Sequence, residues 1–272
     1  MKKNFCEISP LTYFLSRKKE IYKRKLKNFV QKDRFVNTFF TEKLSNIISS
    51  HSSTLLKVGK GVDPTTQYNK VNNINLAVQQ INGLEIKPGE VFSFWQRVGN
   101  PSQRRGFKTG RVIIKGNLTT GVGGGLCNLA NTINLLVLNS PLTITELHKH
   151  SDALFPDNGR RIPFGAGTSV SYNYIDYRFR NDTNQVFQIF VRSEGNVLYG
   201  ELRSEQEFPF NFRLIEEEHY FKKVNNKYYR FSKVYREKLD RCTRELLSRE
   251  LVWDNKSLVM FDYKFIPDEL IR

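Results

Sequence analysis

With 272 residues, 39% hydrophobic and 13% aromatic, the chain has enough apolar side chains for a folded core, which argues for a globular protein rather than a disordered one. Its three cysteines, Cys6, Cys127 and Cys242, are odd in number and far apart, which excludes a disulfide framework. The net charge of +16 is concentrated at one end: residues 1–60 hold 14 Lys and Arg against 4 Asp and Glu, whereas residues 201–272 hold 15 against 14.

A basic arm of this kind suits an anionic partner such as membrane headgroups, cell-wall polymers or nucleic acid. Nucleic acid ranks last, because no recognition motif accompanies the charge. No stretch reaches the ~20 apolar residues that a membrane span needs. The apolar content of the N-terminus is interrupted by Glu7, Ser9 and Pro10, and no small-residue cleavage site follows, so no signal peptide is expected. A cytoplasmic location, or a peripheral one at the membrane, is the expectation. An amphipathic membrane-surface segment would place Phe5, Ile8, Leu11, Tyr13, Phe14 and Leu15 toward lipid.

Residues 17–50 read as helical, from Ile21, Leu26, Phe29 and Val30 onward to Phe39, Phe40, Leu44, Ile47 and Ile48. The Ser-, Gly- and Lys-rich stretch His51 to Thr66 reads as a linker, closing an arm over 1–66. A second helix is predicted from about Val71 to Ile81, stopped by Asn82-Gly83. Pro88-Gly89 marks a turn between two short strands within Leu84 to Trp95, and Arg111 to Lys115 is a further strand. From Leu118 the chain enters a glycine-rich loop and then a helix from about Cys127 to Leu138, ended by Asn139-Ser140-Pro141.

A strand at Leu142 to Leu147 and a polar loop from Lys149 to Pro163 follow. Next, Ser169–Arg180, Gln185–Arg192 and Asn196–Arg203 alternate as consecutive antiparallel strands. Asn225-Asn226 signals a hairpin, and Leu246–Trp253 and Leu258–Phe261 read as strands, or as a short helix and a strand. The fold class is α+β, with N-terminal helices, a mixed core carrying an antiparallel meander, and a β-rich C-terminal extension over 205–272.

The chemistry points to Gly123-Gly124-Gly125-Leu126-Cys127. A helix N-terminus offers unpaired N–H groups and positive dipole to a thiolate, and glycines let backbone approach a substrate. The amides of Gly124 and Gly125 are oxyanion candidates. A base is supplied by His148 or His150, in a stretch that holds half of the four histidines. His-X-His with Cys127 would also make three zinc ligands, but a glycine-rich approach serves no metal, so neither metal nor cofactor is expected. Cys6 and Cys242 lack such surroundings, and His51 and His219 read as surface residues.

These residues resemble the VanW family. The resemblance rests on IKPGEVFSF over 86–94, Arg105-Gly106-Phe107, Val112-Ile113, GGGLCN over 123–128, His150-Ser151 and IDYRFRN over 175–181, in the family's order. It is placed over 67–204 and implies a link to glycopeptide resistance. Some exported members are understood to be cysteine L,D-transpeptidases that cross-link peptidoglycan stem peptides. On that likeness Cys127 is the nucleophile and His150 the base, with Gly123, Gly124, Gly125, Asn128 and Ser151 around the substrate. Gly167 stands where many relatives carry an acidic residue, which leaves the orienting member either missing or supplied elsewhere, with Asp176 as the candidate. The partner implied is a peptidoglycan stem peptide or precursor. The alternative is a non-catalytic accessory that binds such a precursor or a glycopeptide, using Tyr172, Tyr174, Tyr177 and Phe179; for those four, strand packing is the plainer reading.

Overall fold

The computed structural model describes residues 4–56, 63–114, 117–149, 152, 153, 156 and 167–272, with backbone alone at 113, 114, 117, 118 and 152. Helix α1 (Pro10–Val30) starts where Pro10 fixes the first turn and the Ser9 hydroxyl accepts the Thr12 N–H. Helix α2 (Pro64–Val78) is capped in the same way by Asp63, whose carboxylate accepts from Thr65 and Thr66. The short α3 (Phe94–Val98) follows Ser93, which caps Gln96. Helix α4 (Leu126–Leu138) buries Leu126, Leu129, Ala130, Ile133, Leu136 and Val137, an apolar face at helical spacing.

A five-stranded antiparallel sheet forms the floor beneath α4. Its order is β1 (Thr38–Phe39), β3 (Leu84–Ile86), β10 (Phe187–Glu194), β11 (Val197–Ser204) and β2 (Asn46–Thr54). A β-carbon at Gly200 of β11 would lie 3.0 Å from both Leu136 and Thr132, so the missing side chain lets α4 sit close on the sheet. The Ser49 hydroxyl of β2 donates to the Leu136 carbonyl at 2.8 Å, which removes a buried donor from the interface.

Three smaller sheets flank this layer. β4 (Val91–Ser93), β9 (Arg178–Arg180) and β7 (Thr143–Glu146) form one, with β9 central, and β5 (Thr109–Ile114) and β6 (Asn117–Val122) form a hairpin. The third is built from the long strands β12 (Phe210–Val224), β13 (Lys227–Asp240) and β14 (Leu246–Val259), with β8 (Asp152–Ala153) parallel to β14. Among the described residues no helix is long and apolar enough to cross a membrane.

The α+β class and the β-rich C-terminus hold, and several local readings are corrected. The first helix ends at Val30, so residues 31–50 are not helical. The run Ser49-Ser50-His51-Ser52-Ser53 competes poorly for helix, and pairing with β11 gives each alternate side chain a covered place, so β2 replaces both helix and part of the linker. Helix α2 begins earlier than periodicity indicated, at its proline. The strands around Pro88-Gly89 exist but join different sheets. Residues 169–180 are a strand only from Arg178: the chain turns at Ser171–Ile175 and carries Asp176 inward. Residues 246–259 form one continuous strand. Tyr177 and Phe179 are core residues, so they offer no surface to a ligand.

Candidate functional site

The glycine-rich turn is a packing device before it is anything else. Near its open end hairpin β5–β6 sets Gly110 opposite Gly121, and the chain then reverses into α4 through Gly123 and Gly125, both left-handed, at φ +81° and +96°. Gly124 is needed for a different reason. A β-carbon there would stand 2.2 Å from the Gly110 carbonyl carbon. Buried Asn73 of α2 staples the two backbones: its Nδ2 donates to the Lys108 and Gly124 carbonyls, both at 2.9 Å, and its Oδ1 accepts the Lys108 N–H at 2.7 Å.

This geometry spends two of the three glycine amides. Gly123 donates to the Lys108 carbonyl at 3.0 Å and Gly124 to that of Gly121 at 3.1 Å. Gly124 is therefore no oxyanion donor as placed. First-turn N–H groups lack intrahelical partners, so the donors left at the turn are those of Gly125 and Leu126.

Cys127 is the second residue of α4 and is partly exposed. Its thiol lies 3.7 Å from the Val170 carbonyl, which accepts from it. Burial pushes the thiol up from its ordinary value of 9.0, while hydrogen bonds from the Val170 side, Ser169 and its own N–H act in the opposite sense. A resting thiolate, expected from the helix terminus alone, is thus not what the free protein holds. Iodoacetamide should accordingly modify Cys127 more slowly than exposed Cys242 at pH 7, and its rate should keep climbing above pH 9. Peptide mapping reads this directly; a Cys127 rate already flat between pH 7 and 9 would contradict it.

Segment 167–170 lies along the start of α4. The Thr168 N–H donates to Asn131 Oδ1 at 2.5 Å, and the Ser169 N–H donates to the His148 carbonyl at 2.8 Å. The backbone of His148 therefore adjoins the strip that covers Cys127. Asn128 faces away, accepting the Ser53 hydroxyl at 3.1 Å. His150 and Ser151 lie outside the described residues.

The His148 ring is held by a carboxylate that the sequence reading did not single out. Its Nε2 is 2.8 Å from Glu146 Oε1. Glu146 also takes both Arg24 guanidinium nitrogens at 2.5 Å and lies 3.6 Å from Arg178 Nε. The Glu-X-His spacing at the end of β7 was the available signal. Arg24, 122 residues away, had none.

Asp176 belongs to the same knot, not to the cysteine. Fully buried, it accepts from the Ser93 hydroxyl at 2.6 Å, Trp95 N–H at 3.1 Å, Tyr177 N–H at 2.9 Å and Arg178 Nε at 2.8 Å. Those partners occupy the carboxylate that was the candidate to replace the family's orienting acid.

Burial alone would push the Glu146 carboxyl up. The hydrogen bonds from His148 and Arg24 and the charges of Arg24 and Arg178 outweigh it and hold the group at about 2, against an ordinary 4.5. The folded value is the lower one, so the stabilisation is complete above pH ~4.5 and is lost as pH falls toward 2. With some solvent at its rim, that gap is worth about 2–3 kcal/mol. Urea unfolding from pH 5 to 2.5 should show a steeper acid loss for the wild type than for Glu146→Gln. Parallel curves would mean the knot contributes nothing through charge.

Among the described residues, no group of three or more His, Cys, Asp or Glu is placed to hold a metal. Residues 69–203 match a family model described as VanW like protein. Over 227 residues the chain is 29% identical to vancomycin B-type resistance protein VanW of Enterococcus faecalis (strain ATCC 700802 / V583), covering 84% of this chain and 82% of that protein. It is 31% identical over 158 residues to the uncharacterized protein YoaR of Bacillus subtilis (strain 168), covering 57% of this chain and half of that one. No solved structure matches.

Proposed function

Since the chain belongs to the VanW-like family through residues 69–203, we propose that it carries out cysteine-dependent acyl transfer on peptidoglycan stem peptides, in the setting of glycopeptide resistance named for its Enterococcus faecalis relative. The observation that carries the reading is the placement of a partly exposed thiol on the second residue of α4, beside N–H groups of Gly125 and Leu126 that no helix carbonyl takes.

In this reading Cys127 works as a thiol activated by a base during the reaction. His148, with Nε2 on Glu146, keeps Nδ1 for the proton; His150 is the base the family likeness favours. The sulfur attacks the carbonyl of the scissile stem amide, and the thiol proton passes to the imidazole. The oxyanion rests on the amides of Gly125 and Leu126. When the C–N bond breaks, the imidazolium returns the proton to the departing amine and a thioester remains. An acceptor amine then attacks the thioester, forming a new amide and restoring the thiol; water in its place gives hydrolysis.

The raised thiol favours a second reading, a non-catalytic protein that binds the stem peptide or a glycopeptide. Intact-protein mass spectrometry after incubation with tetrapeptide muropeptides separates the two. A mass increase equal to the acyl fragment, absent in Cys127→Ala, supports transfer. Saturable binding by both proteins with no adduct on either supports the accessory.

A further inference from the structure

Helix α1 is docked the wrong way round for a water-soluble protein. None of its residues is fully buried. The bonds it makes to the body are polar, Arg24 on Glu146 and on the Tyr174 carbonyl at 3.2 Å and Asn28 accepting from Arg178 at 2.7 Å, with half-buried Tyr13 and Ile21 beside them. At 100° per residue, Leu11, Leu15, Tyr22, Leu26 and Phe29 fall within about 60° of one another, on the side opposite Arg24 and Asn28. All five face solvent, from 48% exposed at Leu15 to 88% at Phe29. An apolar stripe of this length left in water is a surface awaiting a cover.

The charges beside the stripe name the cover. Lys18 and Lys25 project along one flank and Lys19 and Lys23 along the other, so basic heads border the apolar residues on both sides. The helix carries seven Lys and Arg and one Glu. A second copy of this chain would set these lysines against one another, whereas anionic headgroups neutralise them while acyl chains receive the leucines. We propose that α1 is an interfacial helix that seats this protein on an anionic lipid surface.

The polar docking side explains why the stripe stays available. Arg24 is tied in a bidentate pair to Glu146, so the helix cannot roll its apolar side inward without breaking that pair and the Asn28–Arg178 hydrogen bond. The proposal does not depend on chemistry at Cys127.

The test is co-sedimentation of the full chain with phosphatidylglycerol–phosphatidylcholine vesicles, and with phosphatidylcholine alone, at 50 mM salt. Binding to the anionic vesicles is expected, weakened by raised salt, with little to the neutral ones. Replacing Leu15, Leu26 and Phe29 with Gln should weaken it about tenfold or more, since apolar area is lost with charge unchanged. Replacing Lys18, Lys19, Lys23 and Lys25 with Gln should weaken it by several hundredfold, at roughly fivefold per lysine. Both variants leave Arg24 and Asn28 in place, and circular dichroism checks that the helix persists. Equal binding by wild type and both variants, or no binding by the wild type, overturns the proposal. So does a concentration-dependent dimer that the apolar variant dissolves while vesicles sediment no protein.

Discussion

Gly124→Ala is expected to lower stability by about 3–5 kcal/mol. The new β-carbon would sit 2.2 Å from a backbone carbon and 2.4 Å from a backbone oxygen of Gly110, and neither can rotate away as a side-chain tip would. Overpacking typically costs 1–3 kcal/mol where neighbours can shift. Here any shift also pulls Asn73 from the Lys108 and Gly124 backbone, at about 1 kcal/mol per hydrogen bond. Gly89→Ala is the control: Gly89 has φ +78° and nothing within 4 Å, so only conformational strain of about 1–2 kcal/mol applies. Urea unfolding decides. Similar losses at the two positions would show that backbone conformation, not the contact with Gly110, makes Gly124 necessary.

Asp176→Ala ranks second, at about 3–5 kcal/mol, because it takes the nearest carboxylate from a buried arginine and leaves two buried backbone N–H groups without an acceptor. Asp176→Asn keeps the shape and some of the hydrogen bonds, so a smaller loss is expected. A carboxylate engaged this way is structural, and any activity of these variants, expressed per folded molecule, should stay within about twofold of wild type. A variant with normal urea midpoint and no activity would instead restore Asp176 to the catalytic set.

How far the sequence could be read follows from the range of the forces involved. The apolar face of α4 and the turn residues Gly195 and Asn225-Asn226 act over a few positions, and the helix and both hairpins appeared where the pattern placed them. Residues 38–54 went wrong because their apolar spacing fits either period, and the decision lies with β11, some 150 residues away. Segment 169–177 alternates as a strand does, yet the hydrogen bonds that Ser93, Trp95 and Arg178 offer Asp176 outweigh pairing there. The cysteine motif was legible because the turn and the helix start are local. The partners of His148 were not, since the arginine that fixes Glu146 sits in the basic arm.

β8 has a bearing on how this molecule can be divided. Its first residue directly follows Ser151, and its hydrogen-bonding neighbour is β14, far outside the segment shared with the family. At the opposite boundary, β2 completes the sheet under α4 and Arg24 neutralises Glu146, and both also lie outside that segment. A fragment trimmed to residues 69–203 would expose the edge of β11, leave β8 unpaired and take from Glu146 its bidentate arginine. Homology thus marks out a length of chain, while the strand pairs and ion pairs that complete it reach from α1 to β14.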